Sequence, residues 1–194
     1  MKKYIAEALG KFTLTLVVAL SIAGTFPVST PILAALTLGL FVYSIGHLSG
    51  THINPAVTIG AWSIKKISNR DALLYILFQF MGAAAAYLVV SGTVGVPSKI
   101  GAESWMIVLA EALGTFFFTF GIASVIFGKV QSELSGAVVG GSLLLGISIA
   151  GLIASNGVLN PAVAFGIGSF SFSYALAPIL GSVLGMQSYK FLAK

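Results

Sequence analysis

Asn54-Pro55-Ala56 is a tripeptide that the chain repeats as Asn160-Pro161-Ala162, once in each half of its 194 residues. At average amino-acid usage this tripeptide is expected at roughly one position in several thousand, so two copies indicate a duplicated structural motif. Asn favours the N-cap of a helix, and Pro favours the next position because the backbone N–H that it lacks is not needed there. Each copy therefore predicts the start of a helix.

The composition places these helices in a membrane. Hydrophobic residues make up 57% of the chain and charged residues only 8%, and the mean hydropathy is +1.03. Segments 12–64 and 134–189 contain no Asp, Glu, Lys or Arg, and each is longer than two membrane-spanning helices of about 20 residues. The apolar runs are continuous and lack the alternation of lipid-facing strands, so they predict helices rather than a β-barrel.

Gly, Pro and charged residues divide the apolar runs into six predicted spans. These cover residues 5–24, 31–48, 72–91, 105–127, 136–153 and 172–192. Two further stretches of about ten residues, from each Asn-Pro-Ala to near Ile64 and Phe170, are too short to cross. Half-helices of about 15 Å that enter a core of about 30 Å from opposite faces would meet at the midplane.

An internal repeat relates the two halves. Segment 4–10 (Tyr-Ile-Ala-Glu-Ala-Leu-Gly) resembles segment 108–114 (Val-Leu-Ala-Glu-Ala-Leu-Gly). We therefore interpret residues 1–194 as one membrane channel domain, with repeats at approximately 1–98 and 104–194. Each repeat holds three spans, an odd number, so the second lies inverted relative to the first and the half-helix N-termini converge.

The basic residues predict the orientation. Lys99 alone falls on one side of the predicted topology. The other nine precede or begin the first span, follow the first half-helix or the fourth span, or close the chain: Lys2, Lys3, Lys11, Lys65, Lys66, Arg70, Lys129, Lys190 and Lys194. The positive-inside rule then predicts that both termini are cytoplasmic, in a plasma or inner membrane. Because anchoring explains the basic charge, no nucleic-acid partner is predicted.

The residues of the first pore loop carry a family resemblance. Segment 46–58 (Gly-His-Leu-Ser-Gly-Thr-His-Ile-Asn-Pro-Ala-Val-Thr) resembles that of the aquaporins, or major intrinsic proteins. The second Asn-Pro-Ala, the paired Glu7 and Glu111, and Gln79 in the third span fit the same pattern over essentially the whole chain. The resemblance implies an all-α membrane protein, a right-handed bundle of six transmembrane helices plus two re-entrant half-helices, with a pore in every subunit of a homotetramer.

The function that the resemblance implies is a passive channel for water or small uncharged solutes such as glycerol, urea or ammonia, with no enzyme chemistry and no cofactor. Each half-helix N-terminus carries about half a positive elementary charge, which repels cations. If Asn54 and Asn160 use their carbonyl oxygens as caps, their amide N–H groups remain to donate to a passing solute. A water molecule that accepts from both amides can then no longer donate to the next water in the pore, which discourages proton transfer along the row of waters.

The remaining candidates support the pore loops. Pro55, Ala56, Pro161 and Ala162 are expected to lock the caps and allow close packing of the half-helices.

The resemblance implies that Glu7 and Glu111 hold pore-loop backbone groups, and Glu7 can also pair with Lys11 four residues later. Gln79 and His52 belong to the same support, and His52 is also a candidate for solute contact. No metal site is predicted, because Cys is absent and neither His has a carboxylate nearby in sequence.

The largest departure from the family pattern is Val163, where aquaporins typically carry an Arg that narrows the pore and repels cations. No Lys or Arg occurs in segment 134–189 to replace it. Spacing to each Asn puts the other three constriction positions at Ala34, Ser148 and Gly157. All four residues are small, so we expect a wider and less polar constriction than a water filter, with low ion conductance maintained by the half-helix dipoles.

Three alternatives stay open. A bulky neighbour, Phe41, Phe165 or Trp105, would narrow the pore instead. A coupled secondary transporter would show saturable, gradient-driven uptake, but the chain has no charge cluster at the predicted mid-depth. A non-conducting membrane scaffold would form tetramers without permeability, and the short loops offer little surface for its partners.

Overall fold

The computed structural model of the protein describes residues 1–24, 26–95 and 103–194. Within these ranges every regular element is helical. In chain order the α-helices are α1 (Lys2–Ala23), α2 (Thr30–Ser49), α3 (Pro55–Ser63), α4 (Asn69–Thr93), α5 (Trp105–Ile126), α6 (Ser135–Ile153), α7 (Pro161–Gly166) and α8 (Phe172–Leu192). A 3-10 turn at Ser132–Leu134 leads into α6. Lys99, which was predicted on the opposite side from the other basic residues, lies outside the described ranges.

Six of these helices are long. By length and composition, α1, α2, α4, α5 and α6 with the turn before it can cross a membrane. α8 has 21 residues, or about 30 Å, but Gln187 and Lys190 near its end make it less apolar. Every boundary of the long helices lies within three residues of the predicted spans. The predicted all-α membrane fold is confirmed.

The two half-helices differ in length. α3 has nine residues and ends close to the predicted position. α7 has six residues and ends at Gly166, so the predicted end near Phe170 is wrong. Gly168 adopts a left-handed backbone with a φ of +70°, and its N–H donates to the carbonyl of Phe165. This tight turn ends α7 early.

The helices pack as two similar sets, with α1 along α4 and α5 along α8. A Cβ added to Gly82 or Gly181 would lie 2.2 or 2.1 Å from the backbone oxygen of Ala8 or Ala112, respectively. Glycine is therefore required at both crossings. Each half-helix crosses to the other repeat, so that α3 packs on α8 and α7 packs on α4. This crossing brings the N-termini of α3 and α7 together inside the bundle.

Candidate functional site

A cavity of about 310 Å³ lies between the long helices and the two half-helices. Few polar side chains line it. Thr30 lies at the start of α2, and Asn156 lies just after the end of α6. Asn54 and Asn160 lie at the half-helix N-termini, and His52 precedes α3. The rest of its wall is apolar except for Gly157. The cavity is therefore an apolar passage that leads to a pair of amides.

The two Asn side chains cap the half-helices, as the sequence predicts. Oδ1 of Asn54 accepts a hydrogen bond from the N–H of Ala56 at 2.9 Å. Oδ1 of Asn160 accepts from the N–H groups of Ala162 and Val163 at 3.2 and 3.3 Å. The Pro of each motif occupies the first helical position, and both the Pro and the Ala of each motif are buried.

Each Asn also holds the loop of the other half. Nδ2 of Asn54 donates to the carbonyl of Leu159 at 2.9 Å, and Nδ2 of Asn160 donates to the carbonyl of Ile53 at 3.2 Å. An amide nitrogen has two hydrogens, so this bond takes one N–H of each Asn and leaves one. Donation of the remaining N–H to a solute stays a prediction.

The carbonyls that accept these bonds come from strained positions. Ile53 and Leu159 have φ values of +36° and +51°, which side chains of this size rarely adopt. Such strain persists only where the surrounding contacts over-determine it. The crossed Asn bonds and the glutamates described next supply those contacts.

Glu7 holds the first loop. Its Oε1 accepts from the hydroxyl of Ser49 at 2.7 Å and from the N–H of His52 at 2.9 Å. Its Oε2 accepts from the N–H of Ile53 at 2.6 Å and from Nε2 of Gln79 at 2.8 Å. Glu7 and Gln79 are fully buried. The side chain of Glu7 therefore accepts the hydrogen bonds that water would accept from the loop if it were exposed.

Glu111 holds the second loop in the same way. It accepts from the hydroxyl of Ser155, from the N–H of Val158 at 2.9 Å and from the N–H of Leu159 at 2.7 Å. The described residues provide no amide side chain corresponding to Gln79 here. The two serines of these networks were missed in the sequence, although each precedes its motif by the same number of residues.

His52 lies beside the cavity in a half-buried position, with its ring edge against Tyr75 at 5.3 Å between centroids. Its Nδ1 is 3.2 Å from Oγ1 of Thr58, and that hydroxyl lies 3.0 Å from the carbonyl of Asn54. When the hydroxyl donates to this carbonyl, Nδ1 of His52 donates to Thr58 and Nε2 is left as an acceptor. The described residues contain no cluster of three or more His, Cys, Asp or Glu that could hold a metal.

Three of the four predicted constriction residues line the cavity: Ala34, Gly157 and Val163. Gly157 has a φ of +66°, and a Cβ there would lie 2.9 Å from the backbone oxygen of Ile147, so no other residue fits without a shift. No charged side chain lines the described cavity.

The fourth prediction, Ser148, is wrong. Ser148 lies on the exposed face of α6, in one stripe with Leu145 and Leu152, and its hydroxyl donates to the carbonyl of Leu144 at 2.8 Å. Ile147 lines the cavity in its place. Because a shift of one residue turns a helical position by about 100°, the constriction gains a larger and fully apolar side chain where a hydroxyl was expected.

The bulky neighbours considered as alternatives do not line the cavity. Trp105 is 72% exposed and Phe165 is 41% exposed, while Phe41 packs at the edge of the core. Phe118 of α5 faces the cavity instead. In the repeated segments Phe118 corresponds to Leu14, which also lines the wall, so the repeat was the signal that would have identified it.

Lys11 is not a surface charge, although its place close to Lys2 and Lys3 in the sequence predicts one. Its side chain is fully buried, and its Nζ has no hydrogen-bond partner among the described residues. α1 begins at Lys2, so Lys11 lies in the third turn of the helix. The proposed partner Glu7 is one turn away, and its four hydrogen bonds go to other groups. Among surface charges, Lys3 pairs with Asp71 at 2.8 Å and joins the starts of α1 and α4.

These features define a class of protein: a membrane-embedded helical bundle in which two inward half-helices, joined through their capping amides, border a narrow neutral passage. A family model described as Major intrinsic protein matches residues 1–189. Aquaporin AqpM of Methanothermobacter thermautotrophicus is 32% identical, over 78% of this chain and 71% of the relative. Aquaporin Z of Bradyrhizobium diazoefficiens is 30% identical, over 100% of this chain and 94% of the relative.

The chain belongs to the major intrinsic protein, or aquaporin, family. The X-ray structure of the aquaglyceroporin from Plasmodium falciparum has the same fold, with a TM-score of 0.76 at 23% identity, over 100% of this chain and 95% of that one. Membership makes the chain an integral membrane protein and a passive channel for water and small solutes. Aquaporins are channels and not enzymes.

Proposed function

We propose that the chain conducts small uncharged solutes larger than water, such as glycerol, urea or ammonia, as well as water. One observation carries the proposal: the constriction is bounded by Ala34, Ile147, Gly157 and Val163, and none of these side chains carries a charge or a hydrogen-bonding group. Selectivity in such a pore depends on its diameter and on the groups that line it. A wall without an Arg leaves room for a solute and binds it weakly.

The order of groups along the passage supports the same proposal. A solute meets the polar mouth at Asn156, then the apolar wall, and then the free N–H groups of Asn54 and Asn160. His52 offers an acceptor beyond them. The acceptor atoms of a neutral solute can receive hydrogen bonds from the two amides. A cation at the same place is repelled by the positive ends of two helices.

The site residues are proposed to divide their roles accordingly. Asn54 and Asn160 contact the solute, the Pro and Ala of each motif fix the caps, and Glu7 and Glu111 with Gln79 hold the loops. No cofactor and no nucleic acid takes part in this proposal.

The assembly and orientation are also proposals. Family likeness supports a homotetramer with one pore in each subunit. The outer surface carries many exposed Leu side chains, such as Leu36, Leu40 and Leu180, which suit lipid or a neighbouring subunit. Lys65, Lys66 and both chain termini are placed on the cytoplasmic side of a plasma membrane by the positive-inside rule.

Stopped-flow light scattering of proteoliposomes in an inward glycerol gradient tests the proposal against empty liposomes. We expect fast shrinkage as water leaves through the pore, followed by rapid re-swelling as glycerol enters and water follows it. Fast shrinkage with slow recovery would indicate a water channel closed to glycerol, and would contradict the proposed substrate class. If neither phase is faster than in empty liposomes, the protein is a non-conducting scaffold or a closed channel.

A further inference from the structure

Lys11 is the only buried basic residue in the described part of the chain, and its position on α1 is aligned with the pore. Leu14, Val18 and Ile22 line the cavity from α1 at intervals of four residues. Lys11 precedes Leu14 by three residues and so continues this stripe by one step. The neighbouring Gly10 packs against Ile53, since a Cβ there would lie 2.7 Å from Cγ2 of Ile53. Lys11 is therefore next in sequence to a residue that contacts the loop carrying Asn54.

The only other buried formal charges among the described residues are Glu7 and Glu111. Glu7 accepts four hydrogen bonds, two of them from backbone N–H groups. Lys11 follows Glu7 by about one helical turn, and helical side chains lean toward the N-terminus of their helix. A positive charge on Lys11 would interact with a negative charge on Glu7 in a region that excludes water, where such interactions are strong.

Packing does not require a lysine at this position. The second repeat has Thr115 at the corresponding position, and its hydroxyl donates to the carbonyl of Glu111 within the same helix at 2.7 Å. The two repeats therefore build the same crossing with and without a basic side chain. Lys11 serves a purpose that helix packing alone does not explain.

We propose that Lys11 carries a positive charge and is a determinant of cation exclusion in this channel. The constriction has no charged side chain. Cation repulsion therefore depends on the half-helix N-termini and on the buried charged residues close to them. Negative charges on Glu7 and Glu111 would draw cations toward the paired Asn residues. A positive charge on Lys11 offsets part of that field, so the positive ends of α3 and α7 make the larger contribution to cation repulsion. The inference rests on the proposed function as a neutral-solute channel.

The test compares three variants in proteoliposomes: Lys11→Met, Lys11→Arg and Thr115→Val. Proton flux is read from an internal pH dye and sodium current from planar bilayers, while glycerol re-swelling is measured in parallel. We expect Lys11→Met to raise proton and sodium leak at least about tenfold, equivalent to about 1.4 kcal/mol, with glycerol flux nearly unchanged. Lys11→Arg keeps the charge, and Thr115→Val alters the matching position without changing charge, so both should leave the leak low.

A leak in Lys11→Met no larger than in the wild type would overturn the proposal, and would show that Lys11 carries no charge or acts only in packing. Equal leaks in Lys11→Met and Lys11→Arg would overturn it as well. If Lys11→Met fails to insert, Lys11→Gln offers a neutral polar side chain with the same expected leak. Wild type without glycerol flux would refute the proposed function instead, and the leak measurements would still decide the role of Lys11.

Discussion

Glu7 and Glu111 stand at matching positions of the repeated segment, and each accepts the backbone N–H groups of the two residues that precede a capping Asn. Both acids contact the loops, and neither lines the described cavity. Both loops contain a residue with positive φ just before the Asn. Removing either carboxylate leaves the backbone N–H groups of a strained loop without their acceptors.

We expect Glu7→Gln and Glu111→Gln to destabilise the protein by roughly 2–4 kcal/mol. An amide presents an N–H₂ group to backbone N–H donors that have no other partner. The loss should be greater for Glu7, which accepts four hydrogen bonds against three for Glu111. The apparent melting temperature in detergent measures the effect, with glycerol flux as a second readout. A fully stable Glu7→Gln variant would show that the loop is held by other contacts.

Glu103 predicts a separate effect of pH. It precedes α5 and accepts hydrogen bonds from the N–H and hydroxyl of Ser173 at the start of α8. The Ser173 hydroxyl holds the pKa of Glu103 below its usual range. A carboxyl with a lowered folded-state pKa stabilises the protein above its unfolded pKa, about 4.3, and this contribution is lost as the pH falls through the lower folded value.

The melting temperature should therefore fall as the pH is lowered from 5 toward 3, and less steeply in Glu103→Gln than in the wild type. Because Glu103 is exposed, we expect a small difference. Ser173→Ala should flatten the profile in the same way, since it removes the hydroxyl. Identical profiles for wild type and both variants would show that this contact does not contribute to stability.

Hydropathy and the repeated Asn-Pro-Ala were sufficient to predict the helices and their caps. Both signals are local: an apolar run long enough for a bilayer, and a cap residue followed by Pro. The length of α7 was not predictable in this way, because its end depends on a left-handed turn at Gly168 within an apolar segment. The acidic pair and Gln79 were identified from the family resemblance, and the structure shows which atoms they bind.

The error at Ser148 has a physical cause, which is that α6 is apolar on nearly every face. In such helices the sequence does not show which stripe faces the bundle. Ser148 was therefore placed on the pore wall, although Ile147 faces it. Lys11 was counted as a surface charge because it follows Lys2 and Lys3 closely, although its match with Thr115 beside a buried acid was an available signal.

The corrected constriction predicts the effect of matched bulky substitutions. Val163→Phe adds an aromatic ring to the apolar wall, so glycerol flux should fall at least about tenfold, with a smaller loss of water flux. Ser148→Phe adds the same ring to the outer face of α6 and should leave both fluxes unchanged. The two variants are compared by stopped-flow light scattering. If Ser148→Phe blocks glycerol and Val163→Phe does not, the assignment of the pore-facing side of α6 is wrong.

Asn54→Asp separates the capping role of the amide from its role as a donor. The Asp oxygen can still accept the N–H of Ala56, and a negative charge at a helix N-terminus is favourable by about 0.3–1 kcal/mol, so the variant should fold. It loses the hydrogen bond to the carbonyl of Leu159 and the free N–H toward the solute. It also places a carboxylate where the two positive helix ends meet.

We therefore expect Asn54→Asp to raise sodium and proton conductance at least about tenfold while glycerol flux falls. Asn156→Asp is the matched control, because it adds the same charge at the exposed mouth, where solvent screens it. Its conductance should rise much less. Equal rises in the two variants, measured in planar bilayers, would mean that the cation barrier lies at the mouth and not at the paired Asn residues.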